Sequence, residues 1–166
     1  MIACLIMWHG PRMATAIGRT VAPLRPGGFA VTYFRDTELT TKAGRRTERH
    51  VMRDYGESRP ILNLRKGPFG ARWEGVLHIP EDAEYGFYLQ SHHGSKLWID
   101  GSLVVDHGEN QGWVLGKHGT TTLAKGSHNI SIEHYNRGGT AAIRLKWIGG
   151  PIPANTILGA PYVTKK

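Results

Sequence analysis

Residues 71–79, Ala-Arg-Trp-Glu-Gly-Val-Leu-His-Ile, alternate apolar and polar side chains, and this pattern constrains the fold more than any other feature of the chain. Successive side chains of a strand point to opposite faces, so a two-residue period marks an extended segment with one buried face. Further short runs read as strands by their β-formers and bounding turns, at 29–34, 85–91, 96–99, 102–105, 119–123, 127–135 and 141–147. Turn-forming residues separate them: Pro80-Glu81-Asp82, Asp100-Gly101, Ala124-Lys125-Gly126 and Arg137-Gly138-Gly139. No stretch of a dozen residues keeps a helical period. With 22 glycines and 9 prolines, the chain is expected to be all-β, an antiparallel β-sandwich or jelly-roll-like barrel.

Two regions break the pattern. Residues 35–68 are polar, basic and poorly periodic, which predicts long loops with one strand near Ile61-Leu62-Asn63-Leu64. The segment Pro151-Ile152-Pro153-Ala154-Asn155 is expected to be extended, because each proline restricts the residue before it. A chain of 166 residues accommodates one domain. The division expected is an N-terminal arm at 1–26, a sandwich domain at 27–160 and a basic tail at 161–166. The arm begins with the apolar run Met1–Trp8, too short to span a membrane. Ala14-Thr15-Ala16 has the small residues of a signal-peptide cleavage site, but no basic stretch precedes the apolar run. Signal peptide and retained arm both stand as readings, with Ile17, Val21 and Leu24 continuing the apolar character in the second.

Charge and chemistry narrow the function classes. The formal charge is +8, from 21 Lys and Arg against 13 Asp and Glu, and the basic residues are scattered. Their one cluster, Lys42-Ala43-Gly44-Arg45-Arg46-Thr47-Glu48-Arg49, reads as a solvated loop, not a nucleic-acid footprint. Cys4 is the only cysteine, which excludes an intramolecular disulfide and a cysteine-based zinc site. Carboxylates at Glu74, Glu81, Asp82, Glu84, Asp100 and Asp106 show no marked pair, and no nucleophile elbow, phosphate loop or His-Glu-x-x-His is present. The reading is therefore non-catalytic, without a cofactor. Asn129-Ile130-Ser131 matches a glycosylation acceptor but falls within an expected strand.

Five ordered blocks carry a family resemblance: Arg72-Trp73-Glu74-Gly75, Glu84-Tyr85-Gly86-Phe87, Ser91-His92-His93-Gly94-Ser95-Lys96-Leu97-Trp98-Ile99-Asp100-Gly101, Gly126-Ser127-His128 and Leu145-Lys146-Trp147. In this order and spacing, residues 27–160 resemble the protective-antigen domain of bacterial toxins, glycosidases and yeast adhesins. The resemblance implies a β-sandwich or jelly-roll-like fold. It also implies a site, because glycan-binding members hold a calcium ion on two adjacent aspartates before the glycine, helped by a later asparagine. Here those two positions are His92 and His93. Imidazole suits zinc, copper or nickel, whereas calcium takes six to eight oxygen ligands. The calcium site is expected to be lost.

Three readings of the histidine pair stay open: hydrogen bonding to nearby backbone, direct contact with a glycan or protein, and a transition-metal site completed by Asp106, His107 or Asn136. Adjacent strand residues point apart, which weighs against a shared metal. The candidate ligand-binding set is His92, His93, Asp106, Trp113 and Asn136; Trp73, Trp98 and Trp147 are expected in the core. Together these features imply an extracellular carbohydrate-binding or adhesion domain that needs no calcium. The alternative is a structural subunit of an extracellular filament, with residues 1–26 packing on a neighbouring subunit.

Overall fold

The computed structural model describes residues 27–108 and 116–166. Twelve strands appear among them: β1 (Phe29–Phe34), β2 (Lys42–Glu48), β3 (Met52–Gly56), β4 (Phe69–Ile79), β5 (Ala83–Ser91), β6 (Gly94–Ile99), β7 (Ser102–Asp106), β8 (Lys117–Leu123), β9 (Gly126–Asn136), β10 (Ala141–Gly149), β11 (Ile152–Ile157) and β12 (Val163–Thr164). They form two antiparallel sheets. The larger runs β2-β1-β4-β9-β6-β7, with β12 also on β4; the smaller runs β11-β10-β5-β8, with β3 also on β10. The arrangement is a sandwich rather than a closed barrel.

The alternation seen in the sequence decides which faces meet. In β4, Phe69, Ala71, Trp73, Leu77 and Ile79 are buried, while Arg72, Glu74, Val76 and His78 face outward and are half-buried. Across β9 the inward set is Ile130, Ile132, His134 and Asn136. The smaller sheet answers with Tyr85, Phe87, Leu89, Ile143, Leu145 and Trp147, and these join one continuous core. Trp147 lies flat against Tyr85 and Phe87, with ring centroids at 5.8 and 6.4 Å, and meets the edge of Tyr162 at 5.1 Å. Burial of such rings is the main favourable term in a sandwich of this size.

Several expectations need correction. Residues 42–49, read as a basic loop, contain strand β2, and 52–56 form β3. Neither shows an apolar alternation because the buried member of β2 is a carboxylate. Glu48 is 2% exposed. Its Oε1 accepts from Tyr33 at 2.6 Å and Arg46 at 2.5 Å, and its Oε2 accepts from Arg53 at 2.8 Å and the Trp73 indole at 3.0 Å. Four donors offset the cost of burying the charge. Burial alone would raise its pKa, but the bonds from Arg53, Tyr33 and Trp73 outweigh it and hold the carboxyl below its ordinary value.

Residues 61–64 form a turn instead of a strand, closed by Leu64 N donating to the Ile61 carbonyl at 3.1 Å, with Leu64 plugging the core. Trp98 is not a core residue like Trp73 and Trp147. Leu97 and Ile99 take the inward positions of β6, so Trp98 stands half-buried on the outer face opposite Ser131. The tail assigned to 161–166 contains β12, where Val163 pairs with Leu77 and is fully buried. Gly75 makes the seat for it, since a Cβ there would come within 2.7 Å of Val163 Cγ1. Residues 1–26 lie outside the described residues.

The Asp100-Gly101 turn joins β6 to β7 with φ of +48° and +80°, the left-handed pair of a two-residue hairpin. Asp100 is committed there. Its Oδ2 meets His128 Nδ1 at 2.7 Å and its Oδ1 accepts from Asn129 N at 2.7 Å.

Candidate functional site

The turn between β5 and β6 and the turn between β9 and β10 lie side by side at one end of the sandwich, because β6 and β9 pair with Gly94 opposite Tyr135 and Ser95 opposite His134. His92 and His93 form the first turn. His92 N donates to the Ala142 carbonyl at 2.9 Å, and His93 sits in the left-handed region at φ +62°. This conformation sends the His93 ring across to the second turn, where Nε2 lies 3.0 Å from the Gly138 carbonyl. A carbonyl only accepts, so Nε2 carries the hydrogen. Beneath the turn, Ser91 Oγ bonds to Ser95 Oγ at 2.7 Å and donates to the His93 carbonyl at 3.2 Å.

The floor is a histidine that the sequence reading treated only as part of a strand. His134 is fully buried, and its Nε2 donates to the His92 carbonyl at 2.9 Å. Burial drives its pKa down to about 4; the His92 carbonyl opposes this, and the nearby rings of His93, His92 and His107 reinforce it. His134 is thus a neutral clamp at pH 7. Its Nδ1 is buried without a partner, as is Oδ1 of Asn136. Nδ2 of Asn136 reaches the Gly67 carbonyl at 3.5 Å. The inward phase of β9 was the available signal, since 130, 132, 134 and 136 share one face.

Of the five candidate residues, His92, His93 and Asn136 converge here. Asp106 does not. It ends β7 on the outer face opposite Lys96, with Oδ2 at 3.5 Å from Lys96 Nζ and Oδ1 accepting from Gly108 N at 2.9 Å. His107, next in the chain, turns inward instead and donates its backbone N–H to the Ser95 carbonyl. Trp113 lies outside the described residues.

These donors do not fit calcium. Asn136 Oδ1 is a suitable oxygen without a partner, but the two neighbouring positions supply ring nitrogens, and His93 Nε2 is already donating. Among the described residues, no group of three or more His, Cys, Asp or Glu is placed to hold a metal ion.

Comparison with known proteins agrees with the architecture. The family model described as the PA14 domain matches residues 24–157. The anti-sigma-I factor RsgI3 of Acetivibrio thermocellus is 30% identical over 121 residues, which is 72% of this chain and 19% of that protein. Among solved structures, an anti-sigma factor domain-containing protein from Clostridium clariflavum superposes with a TM-score of 0.75 at 24% identity, covering 84% of this chain and 47% of that one. A PA14 sugar-binding domain from an RTX adhesin gives 0.70 at 16% identity, covering 84% and 98%. The chain therefore spans about a fifth of the curated relative and about half of the solved anti-sigma factor chain. By fold, by ordered motif and by a family match over most of its length, this chain belongs to the PA14 domain family.

Proposed function

We propose that this chain is a non-catalytic carbohydrate-binding domain that works without calcium at the cell exterior. The observation that carries the reading is the His93–Gly138 bridge within a PA14 fold. It joins the two turns by an internal hydrogen bond at the position where the resemblance places an ion. The sugar-binding domain of the RTX adhesin, with the same fold over nearly its whole length, supports glycan recognition. Two features support the absence of catalysis. Glu48, the most deeply buried carboxylate among the described residues, is saturated by four donors, and Asp100 is bound into its turn. Neither is poised as an acid or base.

Because the chain matches only part of its anti-sigma factor relatives, the domain fits a sensing or anchoring role inside a larger protein as well as adhesion. The filament alternative depends on residues 1–26, which lie outside the described residues, and no observation favours it. Screening the intact chain on a glycan array in excess chelator tests the reading, with an assay for released reducing ends beside it. Binding without release is expected. Failure to bind any glycan, or release of reducing ends, contradicts it.

A further inference from the structure

A second surface, away from the histidine turns, carries an open groove. It runs over the outer face of the smaller sheet and encloses about 390 Å³. Its floor is Gly86 of β5, with Thr120 of β8 in register on one side and Ile148 of β10 on the other. A Cβ at Gly86 would lie 3.2 Å from Ile148 Cγ2 and 4.0 Å from Thr120 Cγ2, so any larger side chain would fill the groove.

The wall beyond Gly86 is aromatic and fixed. Tyr88 packs against His118 with ring centroids 4.6 Å apart, and its hydroxyl accepts from Gly116 N at 2.9 Å. Beside Tyr88 in register stands Lys146, whose Nζ donates to Asn155 Oδ1 at 3.2 Å. Asn155 is held at φ +64° and, like Thr120 and Ile148, is exposed. Among the described residues, no carboxylate lines the groove. The Lys146 ammonium, bonded to a neutral amide, brings a positive charge to it.

An apolar ring face, a hydroxyl, an amide and one positive charge complement a pyranose that bears a carboxylate. The C–H face of such a sugar packs on Tyr88 and Ile148, its hydroxyls meet Thr120 and Asn155, and its carboxylate meets Lys146. We propose that this groove binds a uronic-acid-containing polysaccharide. The proposal rests on the glycan-binding reading but assigns the contact to the sheet face instead of the histidine turns.

Titration calorimetry of the intact protein with oligogalacturonic acid, and with neutral cello-oligosaccharide of equal length, tests it. The wild type should prefer the acidic chain. Lys146→Met should lower that affinity by about tenfold or more, the loss of one charge-assisted contact, with thermal stability unchanged. Gly86→Val should also weaken it by filling the floor, and His93→Ala should leave it intact. Equal affinity in Lys146→Met and wild type overturns the proposal, as does a loss confined to His93→Ala; in both cases the glycan-binding reading survives. Failure to bind any acidic or neutral glycan overturns both. Because Lys146→Met alters an outward-facing side chain, it keeps the test decisive should Gly86→Val fail to fold.

Discussion

His93 Nε2 donates to the carbonyl of Gly138 at 3.0 Å, closing the β5–β6 turn onto the β9–β10 turn 45 residues away in the chain. The bridge stands where the family resemblance implies two ion-binding carboxylates, and here a side chain fastens the turn. Restoring the carboxylates should restore the ion. The double variant His92→Asp/His93→Asp should gain a calcium-dependent rise in thermal stability that chelator reverses. Asp tolerates the left-handed conformation of residue 93, and Asn136 at the end of β9 offers an Oδ1 without a partner. With calcium about a hundredfold above its Kd the gain is about 2.7 kcal/mol, or a Tm rise of about 8 °C. The wild type should show no shift, and a wild-type response to calcium would contradict this account of the turn.

His134 supplies a pH signature of its own. Its pKa falls from 6.5 to about 4 on folding, so the unfolded chain binds a proton that the folded chain refuses across that interval. The stability it contributes is complete above pH 6.5 and is lost as pH falls toward 4, with an upper bound of about 3 kcal/mol. Denaturant unfolding should show this slope, and His134→Gln should flatten it. Glutamine keeps a donor for the His92 carbonyl but does not titrate.

Glu48 acts lower on the scale. Its folded pKa lies below the ordinary 4.5, so its contribution is present above that value and lost as pH falls through the folded one. Glu48→Gln removes the charge facing Arg46 and Arg53, whose side chains are 34% and 37% exposed. The loss should be about 3 kcal/mol at neutral pH, the lower end for breaking a buried pair, because water reaches both guanidinium groups. The variant should also lose the part of the acid transition below pH 4.5 while retaining the His134 slope above it.

Trp73 and Trp147 are buried alike but should respond differently to replacement. Trp73 Nε1 donates to Glu48, whereas Trp147 Nε1 is buried without a partner. Trp73→Phe leaves the carboxylate one donor short; Trp147→Phe removes an unsatisfied group along with some ring area. Trp73→Phe should therefore cost more, by about 1–3 kcal/mol, measured as the difference in unfolding free energy between the two variants.

What could be read from the sequence followed the apolar alternation. It delivered β4, β5, β6, β9 and β10 because each has one apolar phase, whereas β7 and β8 were marked by their β-formers and bounding turns; it placed the Asp100-Gly101 turn because only a few residues accept that backbone. It missed β2 and β3, whose burial is organised by Glu48 and Tyr55. The Trp98 expectation weighed residue type above phase, and phase decided. At the candidate site, His92 and His93 were read from the ordered motif and Asn136 from the asparagine that the resemblance implies. Asp106 was not, because its orientation depends on a register irregularity between β6 and β7 at Leu97/Trp98. The sheet-face groove was invisible for a related reason: it exists where Tyr88, Lys146 and Thr120, far apart in sequence, are brought side by side around a glycine.

Calcium independence is the claim on which the functional account turns, and one affinity comparison tests it. The Kd for the strongest array glycan should be measured by titration calorimetry in calcium and again in excess chelator. The account predicts equal affinities. A loss of about tenfold or more in chelator, about 1.4 kcal/mol, would show an ion at work between the turns and contradict the role assigned to His93.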